Sequence, residues 1–314
     1  MARVLVTGAS GILGSACISA LDPAHQVIAL VHDRDPSSRL YTDGLINRCI
    51  EVRGSLAESE RLLSEYQPDQ VLHLAAQTQV PTANHSPLST FESNLRGTWL
   101  LLEACRLAHK PPSAILVASS DKAYGPASLP TQEHHPLAPT APYDVSKACT
   151  DLVARSYASH FGLPIVVSRS ANLYGPGDTH AERLIPHCCS RLLQGLAPIL
   201  RGTGAMTREW LYVDDAAMAS LALLDLAVSH RGQAFNIGGG QVASVAQVAQ
   251  TLVELAGGPA AQAAEHEPKG EIPHQALDTH RLRQATEWRP KTTLRDGLSR
   301  TLDWWKDRAH LHQG

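Results

Sequence analysis

The stretch Arg3-Val4-Leu5-Val6-Thr7-Gly8-Ala9-Ser10-Gly11-Ile12-Leu13-Gly14 decides the fold. Arg3–Thr7 is an apolar run of strand length, and glycine then recurs at every third position, 8, 11 and 14. Gly8 permits a tight turn at the end of the strand. Gly11 lets a pyrophosphate approach a backbone that carries no Cβ, and Gly14 lets the following helix pack close to the strand. The helix N-terminus offers free N–H groups and a positive dipole end to phosphate oxygens. A glycine trio alone is weak, because turns use glycine on steric grounds. Its place between a strand and a helix points to a dinucleotide cradle made by Gly8, Ser10, Gly11, Ile12 and Gly14.

Working outward, short apolar runs alternate with amphipathic segments. Gln26–Val31, 70–75, 114–119 and 164–168 read as strands, and 14–21, 94–109 and 144–161 read as helices. The strands are nearly continuous apolar runs, which means burial on both faces and a parallel sheet covered by helices. Alternation of this kind gives an α/β fold, a doubly wound parallel (Rossmann) sheet. After residue 172 the character changes. Glycine and proline cluster at 174–177, 201–204 and 238–240, and helices are predicted near 183–195, 214–228, 244–256 and 294–307. We expect a dinucleotide-binding unit over 1–172 and a smaller, mostly helical substrate-binding portion over 173–314, with 257–268 as a surface loop.

Composition removes several function classes. The chain has 314 residues, with 27 basic against 30 acidic side chains and a net charge of -3. That balance lacks the basic footprint of a nucleic-acid binder. The most apolar stretch, 216–228, is interrupted by Ser220 and Asp225 and is too short to cross a bilayer. The N-terminus has no long apolar segment followed by a cleavage signal, so a cytoplasmic protein is expected. Six cysteines at 17, 49, 105, 149, 188 and 189 show no metal-like spacing and read as reduced thiols. The 16 histidines are scattered, and no metal site is expected.

The end of the second strand selects between NAD and NADP. An acidic residue there grips the ribose hydroxyls, whereas a basic one accommodates the additional phosphate. The residues are His32, Asp33 and Arg34, with Arg39 nearby. The cations lean toward NADP, Asp33 suits NAD, and the choice stays open. Further on, Tyr143 and Lys147 stand four apart, on one face of a helix. A tyrosine base must work far below its free pKa of ~10. A cation within ~5 Å at an effective dielectric of about 20 supplies roughly 3 kcal/mol, about two pKa units. Lys147 is also placed to hold a nicotinamide ribose. A strand ending in Ser119-Ser120 puts a hydroxyl at the sheet edge where ligands bind.

Several motifs occur in one order: Thr7-Gly-x-x-Gly-x-x-Gly14, His73-Leu74-Ala75-Ala76-Gln77, Asn94-Leu95-Arg96-Gly97-Thr98, Ser119-Ser120, Tyr143-x-x-x-Lys147, Asn172-Leu173-Tyr174-Gly175-Pro176-Gly177 and Arg208-Glu209-Trp210-Leu211-Tyr212-Val213-Asp214-Asp215. As a set they resemble the extended short-chain dehydrogenases/reductases, the nucleotide-sugar epimerases and dehydratases. The resemblance covers nearly the whole chain. It implies a nicotinamide cofactor against Leu74, Ala75 and Ala76, a nucleoside-diphosphate (NDP) hexose in the cleft, and a homodimer through two helices per subunit. It places Gln77, Asn172, Leu184 and Arg208 against the substrate. Arg208 suits a bidentate pyrophosphate contact.

All reactions of this family can begin with Tyr143 taking a sugar hydroxyl proton as hydride leaves C4. The residues after Ser120 discriminate among them. Asp121 and Lys122 supply a carboxyl and an amine for a second proton transfer, which a 4,6-dehydratase requires. Ser120-Asp121-Lys122 is similar to the pattern of CDP-glucose 4,6-dehydratases. By that resemblance Asp121 is the acid for the departing 6-hydroxyl and Lys122 the base at C5, the latter needing a pKa lowered by burial. A 4-epimerase or a 4-keto reductase is the alternative reading. A non-catalytic NAD(P)-sensing protein is a third, opposed by the intact Ser120, Tyr143 and Lys147. The chain is short for a CDP-glucose dehydratase, and Ser55 stands where the family often carries aspartate. The nucleotide base therefore stays open.

Overall fold

A computed structural model describes residues 1–267 and 271–308. The chain runs β1 (Arg3–Thr7), α1 (Ile12–Ala20), β2 (Gln26–Val31), α2 (Arg39–Thr42), β3 (Cys49–Arg53), α3 (Ser59–Tyr66), β4 (Gln70–His73), α4 (Val80–His85), α5 (Pro87–Phe91) and α6 (Gly97–Leu107). It continues through β5 (Ala114–Ser120), α7 (Pro142–Phe161), β6 (Ile165–Ser170), β7 (Asn172–Tyr174), α8 (Leu184–Leu193), β8 (Thr207–Tyr212) and α9 (Val213–Asp225). Last come β9 (Ala234–Ile237), β10 (Val242–Ser244), α10 (Val245–Ala256), α11 (His280–Ala285) and α12 (Leu294–Asp307).

Seven strands form the main sheet in the order β3-β2-β1-β4-β5-β6-β9, and every pairing is parallel. This is a Rossmann-like α/β fold. Alternate strand residues enter opposite layers. Val4 and Val6 join Ala16, Ile18, Ala216 and Leu223 on the face covered by α1 and α9. Leu5 joins Leu62, Leu101, Ala154 and Ala158 on the face covered by α3, α6 and α7. The chain steps from β1 to β2 on one side and returns to β4 on the other, so a crevice opens at the carboxyl ends of β1 and β4.

The main sheet draws on residues both before and after 172. α9 packs along α1, and β9 adds the last strand beside β6. The remaining C-terminal residues build a second unit. Its three-stranded sheet, β10-β8-β7, is covered by α8, α10 and α12 around Tyr174, Cys188, Trp210, Val248, Leu298 and Trp305. β3 and β7–β10 were not anticipated from the sequence. β3 is an edge strand whose residues are mostly half-exposed and carry charges, so its apolar signal is broken. β7 and β10 are too short to show a period. Of the expected loop 257–268, Gln262 bridges to Ile199, and Pro268 lies outside the described residues.

α7 carries Tyr143 and Lys147 and is fastened to the sheet by a buried ion pair. Arg169 on β6 donates from Nε and Nη2 to the two Asp151 carboxylate oxygens at 2.8 and 3.1 Å. Removing one partner of such a pair costs about 3–5 kcal/mol. Among the described residues, no helix is long and apolar enough to cross a membrane. Nor does any group of three or more His, Cys, Asp or Glu side chains among them suit a metal.

Candidate active site

One cavity of about 1640 Å³ runs from the glycine loop to the second unit. Single-ligand pockets are typically ~300–1,000 Å³, so this volume accommodates two ligands. Gly8, Ser10, Gly11, Ile12 and Gly14 line one end. Gly8 has φ +68°, and a Cβ there would lie 2.8 Å from Ala75 Cα. A Cβ on Gly14 would overlap the Gly8 carbonyl, so this glycine sets the contact between α1 and the loop. A Cβ on Gly11 would meet only the Gly8 oxygen, at 3.2 Å, and otherwise would point into free space. Gly11 caps α1 without a side-chain acceptor, leaving the first N–H groups of the helix for a ligand. These features fit a dinucleotide pyrophosphate.

At the end of β2, His32 and Asp33 line the cavity, and Asp33 is almost fully exposed. Arg34 does not line it: its guanidinium sits over the Tyr41 ring, 5.0 Å from the centroid. Arg39 is bound to Asp43 at 3.2 Å and to Asp214 at 2.6 Å. Arg39 is thus paired with two carboxylates and Arg34 rests on the Tyr41 ring, while the exposed Asp33 carboxylate lines the cavity at this end.

The turn after β4 is shaped by buried polar groups. The Leu74 and Ala75 amides both donate to Thr7 Oγ1 at 3.1 Å, which ends the strand at His73 and swings Leu74, Ala75 and Ala76 into the cavity wall. Thr98 Oγ1 directs its hydrogen to Asn94 O at 2.6 Å, so His73 Nε2 must donate to Thr98 Oγ1 at 2.9 Å. His73 Nδ1 then accepts from Thr7 Oγ1 at 2.9 Å. The network holds His73 neutral, and burial, reinforced by the Lys147 charge, depresses its pKa to about 3. Asn94, in a π turn over Glu92–Arg96, accepts from Gln77 N at 2.7 Å and donates to Ser146 Oγ at 2.9 Å, tying this turn to α7. The Gln77 side chain lines the cavity but closes a local turn, donating to Gln79 O at 3.0 Å and accepting from Gln79 N at 2.6 Å.

Ser120, Asp121, Lys122, Tyr143 and Lys147 all line the same cavity, at the carboxyl end of β5 and the first turns of α7. Ser120 Oγ donates to Asp121 Oδ1 at 3.0 Å and accepts from Lys122 N at 3.2 Å, so it also caps the turn that presents the pair. Burial raises the Asp121 carboxyl, against the pull of Lys122 and of the Ser120 hydroxyl. Lys122 is only half-buried, less enclosed than the sequence reading required of a neutral amine. Lys147 Nζ donates to Ala118 O at 2.6 Å, and burial lowers its pKa to about 8. Tyr143 differs from expectation. Burial pushes its pKa up to about 12, and the cation that opposes this is Arg183 rather than Lys147.

On the substrate side, Asn172, Leu184 and Arg208 line the cavity. Asn172 Nδ2 is buried without a hydrogen-bond partner among the described residues. Arg208 is bound to Glu271 at 2.9 Å and donates to the backbone of Thr207 and Pro273.

Sequence reasoning missed four residues here. Asp144, next to Tyr143, is buried in the cavity wall with its pKa raised to about 6 by desolvation, against Lys122. Its position beside Tyr143 was the available signal. Arg183 lies between Asp178 and Thr78. Glu271 and Gln275 arrive from a segment remote in sequence, with no local motif to mark them.

Comparisons with known proteins place the fold and the sequence among known relatives. A dTDP-glucose 4,6-dehydratase of Streptomyces antibioticus is 33% identical over 331 aligned positions, covering 97% of this chain and 92% of the relative. A dTDP-glucose 4,6-dehydratase structure from Streptomyces venezuelae with NAD bound superposes with a TM-score of 0.88 at 30% identity, over 98% of both chains. A UDP-glucuronic acid 4-epimerase from Bacillus cereus, in complex with UDP-glucuronic acid and NAD, superposes with a TM-score of 0.89 at 27% identity, over 97% of this chain and 99% of the other. The sequence profile of the NAD dependent epimerase/dehydratase family matches residues 4–238, from the first strand through β9 to the loop after it. With glycine cradle, sheet order and Tyr143–Lys147 helix in one cavity, the chain belongs to the NAD dependent epimerase/dehydratase family.

Proposed function

We propose that the protein is an NAD-dependent NDP-hexose 4,6-dehydratase, forming an NDP-4-keto-6-deoxyhexose. The observation that carries this reading is Asp121-Lys122 in the cavity wall beside Tyr143 and Lys147. An epimerase or ketoreductase needs a proton-transfer group at the C4 oxygen, and the added carboxyl and amine of Asp121 and Lys122 support further proton transfers at C5 and at the 6-hydroxyl. The open Asp33, with Arg34 and Arg39 engaged elsewhere, supports NAD over NADP.

NAD, when bound, supplies a hydride acceptor and a positive charge. Gly8, Ser10, Gly11, Ile12 and Gly14 would hold its pyrophosphate, Asp33 its ribose hydroxyls, and Leu74, Ala75, Ala76 and Lys147 its nicotinamide half. Tyr143 takes the O4 proton. Its ionisation is disfavoured by burial, so Arg183 and the charge brought by the cofactor matter for this step. Lys122 takes the C5 proton made acidic by the C4 ketone. Asp121, held toward its acid form by burial, protonates the departing 6-hydroxyl. Arg208 and Asn172 bind the substrate pyrophosphate, and Leu184 frames the nucleotide.

The family likeness to 4-epimerases supports a second reading, in which the hydride removed from C4 comes back to C4 and Tyr143 returns its proton to O4. Incubation with dTDP-, CDP-, UDP- and GDP-hexoses without added reductant, followed by proton NMR, separates the two. We expect a new C6 methyl signal, and an inverted C4 centre without a methyl signal would favour the epimerase. For assembly, exposed Trp99 and Leu107 on α6 and Leu152 and Phe161 on α7 support a homodimer through these helices. Sedimentation at a monomer mass would contradict that.

A further inference from the structure

Asp121 is held from two directions. Oδ1 accepts from Ser120 Oγ at 3.0 Å, and Oδ2 accepts from Gln275 Nε2 at 2.9 Å. Asp121 is 5% exposed and Gln275 is 6% exposed, so water competes poorly for this contact. The other half of the amide is idle: Gln275 Oε1 is buried without a hydrogen-bond partner among the described residues. The backbone on either side of Gln275 is pinned. Pro273 O accepts from Thr207 N at 3.0 Å and from Arg208 Nη1 at 3.2 Å, and Leu277 N donates to Glu209 Oε2 at 2.7 Å. Residues 273–277 thus bridge the phosphate-binding Arg208 and the acid.

An acid that gives up and regains a proton changes what it needs from its neighbour. The ionised carboxylate needs a donor, and the protonated acid needs an acceptor. A primary amide carries both on one carbon, and rotation of the amide exchanges them. An unpaired buried polar group is costly, so a partner that serves only one state would bias the acid against the other.

We propose that Gln275 is a positioning residue for Asp121, donating from Nε2 to the carboxylate and, after amide rotation, accepting a hydrogen bond from the protonated acid at Oε1. The role rests on the reading of Asp121 as the acid at C6. In that step the C5–H bond breaks as Lys122 takes the proton, its electron pair forms the C5–C6 double bond, the C6–O bond breaks, the Asp121 proton forms the O–H bond of the released water, and Asp121 is left as the carboxylate. Gln275 itself neither gains nor loses a proton.

The test uses the full-length enzyme with bound cofactor and two variants, Gln275→Leu and Gln275→Glu. Two readouts separate the steps: reduction of the bound nicotinamide, which reports C4 oxidation, and growth of the C6 methyl proton signal. For Gln275→Leu we expect C4 oxidation near the wild-type rate and methyl formation reduced about 100-fold, the scale of a misplaced catalytic group. A protonated glutamic acid offers one donor and one acceptor, as the amide does. Gln275→Glu should therefore recover methyl formation at acidic pH and lose it as the glutamate ionises, adding a descending limb to the pH profile. Wild-type methyl formation in Gln275→Leu, a parallel fall of both readouts, or an unchanged pH profile in Gln275→Glu overturns the role. A wild-type protein that forms no methyl product overturns the dehydratase reading itself, and the role with it.

Discussion

Arg208 Nη2 donates to Glu271 Oε2 at 2.9 Å, so the cation proposed to bind the substrate pyrophosphate already faces an anion in the cavity wall. Arg208 is nearly buried and Glu271 is about one-third exposed, which makes Glu271 the partner free to yield. Glu271→Gln removes the competing charge while keeping the shape. We expect a nucleoside diphosphate to bind about 5-fold more tightly to this variant in calorimetry, about 1 kcal/mol. Arg208→Ala should weaken binding by about 2 kcal/mol, the range of a hydrogen bond to a charged group. Unchanged affinity in both variants would move the pyrophosphate elsewhere.

The three loop glycines separate packing from ligand approach. Gly14→Ala places a methyl group on the Gly8 carbonyl, and Gly8→Ala combines φ +68° with a clash against Ala75. Both should lower stability by about 1–3 kcal/mol or more. Gly11→Ala meets only one atom, at 3.2 Å. It should fold with a Tm close to wild type yet retain little nicotinamide cofactor after gel filtration. Full cofactor content in Gly11→Ala would remove the pyrophosphate from that point.

His73 gives a stability signature. Its folded pKa, about 3, lies below its ordinary 6.5. Below pH 6.5 the unfolded chain takes a proton that the folded chain refuses, so the stability due to neutral His73 is present above that pH and drains as pH falls toward 3. The loss approaches about 1.4 kcal/mol per pH unit. His73→Asn lacks this linkage. Urea unfolding should show the gap between wild type and His73→Asn narrowing by about 2 kcal/mol from pH 7 to pH 5. A constant gap would mean that His73 titrates normally.

Lys122 and Tyr143 should fail at different steps. Tyr143→Phe should lose C4 oxidation, with the rate falling about 100-fold or more. Lys122→Ala should retain C4 oxidation while exchange of the C5 proton with deuterated solvent stops. Wild-type exchange in Lys122→Ala would remove that amine from the reaction and turn attention to Asp144, which burial leaves with a pKa of about 6.

What the sequence showed was local. Gly8, Gly11, Gly14, Tyr143 and Lys147 were legible because their spacing encodes backbone geometry within one turn or one helix face, and the buried strands of the sheet announced themselves by unbroken apolar runs. The edge strand β3 was not legible, because Glu51 and Arg53 interrupt its pattern. Contacts across the chain were equally hidden. Gln275 meets Asp121 from 154 residues away, and Arg208 meets Glu271 from 63. Nothing near Arg34 foretold that its guanidinium would rest on the Tyr41 ring, a contact that counting cations along the sequence does not reveal.

In the proposed 4,6-dehydratase reaction, the hydride taken from C4 comes back at C6. The most direct measurement follows an NDP-hexose carrying deuterium at C4, incubated with the wild-type protein in ordinary water. We expect a C6 methyl group bearing one deuterium, within a 4-keto product. Deuterium retained at an inverted C4 centre, with no methyl group formed, would contradict it.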